Sequence, residues 1–219
     1  MSTKTATIIG VTGLIGNYLL EELLKDDYYH TVRVLIRRPV DLAHPKLEKK
    51  LVDFNDNDSL LVALSNSDVV FCTVGTTQKK VKGNKAAYRK VDYDIPVNAA
   101  RFCKMTGCEK FVLVSSVGAN SKSNNFYLKL KGEVEDTLKS VGLKSVDIMR
   151  PSTLLGERKE FRLGEKIGKA IMTTLSFLIP AKYKPIHGKD VAMAMVVVSK
   201  KNEEGFFVWE NNEIRKLNN

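Results

Sequence analysis

The stretch Gly10-Val11-Thr12-Gly13-Leu14-Ile15-Gly16 constrains this chain more than any other, because it joins two runs of different period. Before it, Ala6-Thr7-Ile8-Ile9 is a short apolar and β-branched run; after it, residues 18–24 carry apolar side chains at helical spacing. A strand, a tight turn and the start of a helix therefore follow in immediate succession. Glycines at every third position let the backbone turn sharply, approach a pyrophosphate closely and seat the helix on the strand, with the positive end of the helix facing the anion. The ligand implied is a dinucleotide.

Strand-like runs recur at residues 5–9, 32–36, 51–52, 69–74, 111–114, 146–149 and 206–209, most of them separated by segments of helical spacing. This alternation predicts βαβ units and hence an α/β fold, a doubly wound, mainly parallel Rossmann sheet that places ligands at the carboxyl ends of its strands. A chain of 219 residues with 43% hydrophobic content can bury one substantial core, and no Pro/Gly/Ser-rich linker divides it. A single NAD(P)-binding domain spanning 1–219 is expected, in which residues from about 150 to 219 add a small substrate-side region.

Several function classes fall away on composition. The longest apolar run, residues 170–181, is interrupted by Thr173, Thr174, Ser176 and Pro180. It falls short of the roughly 18 residues that span a bilayer, so it is expected to pack on the body or cap a pocket, with no membrane involved. The start, Met1-Ser2-Thr3-Lys4, has no apolar signal region, and the three cysteines Cys72, Cys103 and Cys108 are an odd number. Reduced thiols and a cytoplasmic location are expected. No His or second Cys pair accompanies Cys103 and Cys108, so no metal is expected. The net charge of +10 and the cluster Lys79, Lys80, Lys82, Lys85, Arg89 and Lys90 come without any nucleic-acid-binding motif. A positive field also draws in the phosphates of a dinucleotide, and nucleic acid is not the expected partner.

The ends of the strands carry the chemistry. After the second strand stand Arg37 and Arg38, where an NAD-selective site usually has an acid for the ribose 2′-hydroxyl. Guanidinium groups there suit a 2′-phosphate, which favours NADP(H). Asp53 is a candidate acceptor for the adenine amino group, or an ordinary turn residue. Gly75-Thr76-Thr77 is a small-residue turn that allows close approach to a ribose or phosphate. The fifth strand ends in Ser115-Ser116, followed by Tyr127 and then Lys131 four residues on. Of the seven tyrosines, Tyr127 alone has a lysine at that spacing, which puts both side chains on one helix face. An ammonium beside a phenol favours the phenolate, so such a tyrosine can exchange a proton near neutral pH while a serine hydroxyl holds the substrate oxygen.

Gly10-x-x-Gly13-x-x-Gly16, Ser115-Ser116, Tyr127-x-x-x-Lys131 and Arg150-Pro151 together resemble the short-chain dehydrogenase/reductase superfamily in its extended or atypical branch. More narrowly, residues 72–77, 115–119, 127–135 and 150–155, with Arg158 and Arg162, resemble the Tat-interacting-protein oxidoreductase family. The resemblance implies an NADPH-binding reductase in which Tyr127 is the proton donor or acceptor, Lys131 holds the nicotinamide ribose and tunes Tyr127, and Ser115 or Ser116 orients a carbonyl. It also implies that Thr12 to Ile15 wrap the pyrophosphate and that Arg37 and Arg38 meet the 2′-phosphate. Thr76 and Thr77 would line the ribose side, and Leu154 and Arg162 would touch the nicotinamide end. The chain departs from the pattern at Ser152, where many relatives have Gly after the Arg-Pro pair. Residues 186–192 resemble the segment that opens a late helix in extended members, where the acid, here Asp190, caps or braces the helix. His187 is expected to be structural, and Trp209 to belong to the core.

These residues point to an NADP(H)-dependent reductase of a small carbonyl or enone substrate. The alternative is an NADPH-binding regulatory or redox-sensing protein that acts through a protein partner with little turnover. A sugar-nucleotide epimerase is a third reading, and Arg37 and Arg38 argue against it.

Overall fold

The computed structural model describes residues 4–156 and 180–218. β1 (Lys4–Ile9) leads into α1 (Leu14–Lys25), β2 (Tyr29–Ile36), β3 (Leu47–Leu51), α2 (Asn57–Leu64) and β4 (Val69–Cys72). A short α3 (Lys85–Arg89) continues through one π-helical turn (Lys90–Asp94) into α4 (Ile95–Thr106). Then come β5 (Lys110–Val114), α5 (Phe126–Val141), β6 (Ser145–Arg150) and the two-residue strands β7 (Leu154–Leu155) and β8 (Ile186–His187). A 3₁₀ turn (Ala181–Tyr183) precedes β8, and α6 (Gly188–Ser199), β9 (Gly205–Glu210) and α7 (Asn211–Lys216) follow it.

Seven strands form one parallel sheet in the order β3-β2-β1-β4-β5-β6-β9, as expected of a doubly wound α/β protein. β7 and β8 pair separately. From β1 the chain steps outward to β2 and β3, then crosses back to β4 on the other side of β1, so the strand order reverses between β1 and β4. The crevice above that reversal, at the carboxyl ends, is where such a sheet receives a ligand.

Strand alternation divides the core into two layers. Ile8, Val34, Phe71 and Val112 face α1 and α6, whereas Ile9, Leu35, Val70 and Leu113 face α2, α4 and α5. Because both faces are covered, the central strands read as continuous apolar runs. Each fully buried aliphatic or aromatic side chain contributes about 1.5–3 kcal/mol relative to exposure.

The strand expectations hold, with three differences of extent beyond a single residue. β2 begins at Tyr29 rather than residue 32. β3 occupies Leu47–Leu51 rather than residues 51–52. It is an edge strand whose Lys49, Lys50 and Leu51 are exposed, and charge on an edge blocks further pairing while hiding the apolar signal. β4 ends at Cys72 rather than residue 74, after which the Thr73 hydroxyl donates to the carbonyls of Ile9 and Gly10, both at 3.1 Å, and fastens the outgoing chain to the end of β1. The π turn has a local cause. Pro96 lies in the first turn of α4 and has no N–H for the carbonyl of Asp92 four residues back, which displaces the hydrogen-bond ladder and widens the helix there.

Candidate functional site

The glycine turn brings three backbones into contact. Gly10 has φ +94°, and a Cβ there would lie 2.8 Å from the backbone nitrogen of Val74. A Cβ at Gly16 would lie 2.2 Å from the carbonyl oxygen of Gly10, so α1 seats directly on the end of β1. Gly13, the N-cap of α1, has no side chain to occupy the first free N–H groups of the helix. That leaves the positive end of α1 open to an anion. Thr12 and Gly13 are exposed and Leu14 is half-buried, whereas the side chain of Ile15 is buried in the core. The turn therefore fits a pyrophosphate through its backbone, and the Ile15 side chain packs rather than lines it.

Arg37 and Arg38 follow β2, both exposed, and neither has an ion-pair partner among the described residues. Asp53 is exposed, and its Oδ1 accepts from the backbone and side-chain nitrogens of Asn55 at 2.9 and 3.0 Å. Its carboxylate thus serves the turn. After β4, Thr76 and Thr77 are half-buried; the Thr76 carbonyl accepts from the Tyr88 hydroxyl at 3.2 Å, and the Thr77 hydroxyl accepts from the Lys80 backbone at 3.2 Å. Of the basic cluster, Lys85 stands 5.4 Å over the Phe126 ring and Arg89 pairs with Glu133 at 2.6 Å.

Asn125 caps α5 by accepting from the Tyr127 and Leu128 N–H groups, at 3.0 and 3.1 Å. This places Tyr127 in the first turn, 36% exposed, with Lys131 one turn deeper and buried. The Lys131 ammonium lies 6.0 Å from the centre of the Tyr127 ring and 3.1 Å from Oδ1 of the buried Asp92. Burial opposes the ammonium charge more than any single interaction favours it, but Asp92, joined by Tyr127 and Cys72, holds Lys131 above its ordinary value. The neighbouring Cys72 thiol is pushed up to about 12 by burial.

The two serines part company. Ser115 is buried and its hydroxyl donates to Glu135, which also receives Arg150; Arg150 in turn reaches Glu210 at 3.0 Å. Ser116 is half-buried, and its hydroxyl has only a 3.3 Å contact to the carbonyl of the next residue. Leu154 is half-buried in β7 against the core, while Arg158 and Arg162, with most of the 170–181 run, lie outside the described residues. Ser152, the departure from Gly, donates to the Lys184 carbonyl, and its own N–H donates to Asn211 at 3.0 Å.

Asp190 does not cap the late helix. His187 occupies the N-cap position of α6 without a side-chain bond, and Asp190 sits within the first turn. The chain enters through β8, which puts the N-cap three residues before the acid, so that Asp190 stands in the first turn and braces the positive helix end rather than capping it. Trp209 is half-buried against the core and donates to Asp147 at 2.8 Å. All three cysteines are free and buried.

Asp92, Glu135 and Thr73 belong to the site and were not anticipated. Glu135 continues the Tyr127, Lys131 stripe at the next i+4 position, a usable signal. Asp92 and Asp94 both follow the basic pair Arg89-Lys90, and nothing local distinguishes the two acids.

The chain matches the family described as NAD(P)H-binding over residues 10–198. It is 33% identical over 204 residues to "Protein FMP52, mitochondrial" of Candida albicans, covering 90% of this chain and 89% of that protein. It is 35% identical over 202 residues to the protein of the same name in Debaryomyces hansenii, covering 88% and 86%. To rat HTATIP2 it is 33% identical over 178 residues, covering 80% of this chain and 73% of the relative. Among solved structures, MoeE5 in complex with UDP-glucose and NAD superposes with TM-score 0.72 at 19% identity, covering 96% of this chain and 79% of that one. Bordetella bronchiseptica WbmH in complex with NAD+ superposes at 0.73 and 17%, covering 95% and 76%. These likenesses show the Rossmann fold. The FMP52 relatives overturn the expected cytoplasmic location, since they are named mitochondrial. Among the described residues no helix is long and apolar enough to cross a membrane. The chain belongs to the NAD(P)H-binding family and, within the short-chain dehydrogenases/reductases, to the atypical group that includes HTATIP2 and FMP52.

Proposed function

We propose that this protein is a mitochondrial NADPH-dependent reductase of a small carbonyl or enone substrate. The observation that carries the reading is the pair of a part-exposed Tyr127 and a buried, charged Lys131 on one face of α5, at the carboxyl edge of the sheet. Bound NADPH would supply the hydride. The open α1 N-terminus and the glycine cradle would take the pyrophosphate, and Arg37 and Arg38, without an ion-pair partner among the described residues, would meet the 2′-phosphate and select NADP(H). Ser116, whose hydroxyl is the less committed of the two, would orient the substrate oxygen, and the Tyr127 hydroxyl would deliver its proton there. Lys131 would favour the phenolate left behind and offer its remaining N–H groups to the nicotinamide ribose. The mitochondrial placement follows the named location of the FMP52 relatives, and subcellular fractionation tests it.

The decisive experiment is NADPH oxidation over aldehydes, ketones, quinones and enones, with Tyr127→Phe beside the wild type. The reading expects the variant to bind NADPH normally and to lose about 10²–10⁴ of turnover, the range for a positioned acid. NADPH binding without turnover on any substrate would instead favour a sensor that works through a protein partner, and equal activity of the variant would remove Tyr127 from the chemistry.

A further inference from the structure

Asp92 is the most deeply buried acid at the site, 1% exposed, and its two oxygens face different elements. Oδ1 lies 3.1 Å from the Lys131 ammonium on α5. Oδ2 accepts from the backbone N–H of Thr76, at 2.7 Å, in the loop that leaves β4. Asp92 reaches both from within the π turn, where it is buried while Asp94, two residues on, stays half-buried. π turns of one residue's excess recur at functional positions.

Resting on the reductase reading, we propose that Asp92 is a positioning residue, whose carboxylate keeps the Lys131 ammonium charged and in place and ties it to the loop that receives the ribose. An ammonium buried as Lys131 is would lose its proton in the absence of a counter-charge. A neutral Lys131 could neither favour the Tyr127 phenolate nor donate three hydrogens. The groups facing it are Asp92 from the π turn, Tyr127 from its own helix and Cys72 from β4. Cys72 stays a neutral thiol, so Asp92 is the one carboxylate among them. One contact to Asp92 leaves two of the three ammonium hydrogens for a ligand. The same carboxylate holds the Thr76 N–H, so the ribose loop and the ammonium share a single anchor. Cofactor affinity and the protonation of Lys131 are thereby coupled.

The test uses Asp92→Asn, which preserves shape and can still accept from Thr76, with Asp92→Glu restoring the charge. Lys131 is followed by side-chain nitrogen NMR of ligand-free protein, its signal assigned with Lys131→Arg, and NADPH affinity is measured by fluorescence across pH. In the wild type Lys131 should titrate above the free-lysine value of about 10.4, and in Asp92→Asn below it. Between about pH 7 and about pH 9.5 the Asn variant should lose NADPH affinity about ten-fold more than the wild type, and Asp92→Glu should recover most of that loss. An unchanged Lys131 titration in Asp92→Asn overturns the proposal, as does a loss of affinity equal at every pH, which is what a merely structural residue would produce. Should Asp92→Asn fail to fold, a wild-type Lys131 that titrates below the free value overturns it alone. Neither readout needs turnover, so a protein inactive on every carbonyl would sink the reductase reading and leave this test standing.

Discussion

The hydroxyl of Ser115 donates to the carboxylate of Glu135 on the facing helix, and that carboxylate is held from its other side by Arg150. Two adjacent serines thus differ in availability. Ser115→Ala should cost about 1–2 kcal/mol of stability by stripping a buried acceptor of a donor, and leave turnover within about three-fold. Ser116→Ala should leave stability unchanged and lower kcat by about 10²-fold, as removal of one oxyanion donor does. Urea melts beside steady-state kinetics separate the two, and the reverse pattern would reassign the catalytic hydroxyl.

The glycine cradle predicts a graded series. A methyl at Gly16 meets the Gly10 carbonyl at 2.2 Å, a backbone atom that cannot swing aside, whereas at Gly13 the nearest atom is at 3.2 Å. Gly16→Ala should lower the melting temperature and abolish NADPH binding, and Gly13→Ala should weaken binding with little effect on melting. Thermal shift with and without NADPH reads both at once.

Arg37 and Arg38 have no partner among the described residues, so replacing them breaks no internal bond there. The double change to Ala should weaken NADPH binding by about 10–100-fold, the worth of a charge-assisted phosphate contact, and leave NADH binding within about three-fold. A parallel fall for both nucleotides in a fluorescence titration would remove these arginines from 2′-phosphate recognition.

Asn211 is fully buried at the start of α7, where it accepts from the Ser152 N–H and donates to the carbonyls of Ala181 and Lys184, at 3.0, 3.1 and 2.9 Å. It closes the loop before β8 onto the segment after β6. Asn211→Ala removes three hydrogen bonds at about 1 kcal/mol each, so about 3 kcal/mol of stability should be lost. Denaturant unfolding measures that loss, and hydrogen exchange should quicken at residues 181–184 before it does in the sheet.

Features coded by period and local spacing were readable in advance. The glycine turn, the strands, the Tyr127 and Lys131 face and the arginines after β2 follow from what a backbone of given residues does within a few positions, and β1, α1 and β2 stand where that reading puts them. Partners distant in the chain were decided only by folding. Whether Ser115 or Ser116 is free depends on Glu135, and the charge on Lys131 depends on Asp92, 39 positions back, in a helical turn that Pro96 widens. Asp53 binding its own turn and Ile15 facing the core are likewise outcomes of which groups the sheet brought within hydrogen-bonding or packing distance. Sequence alone determined the elements and the residue types at the strand ends, because backbone sterics and side-chain periodicity act locally. Tertiary structure decided which of those side chains remain available, because a buried polar group must find its counterpart wherever the chain has placed one.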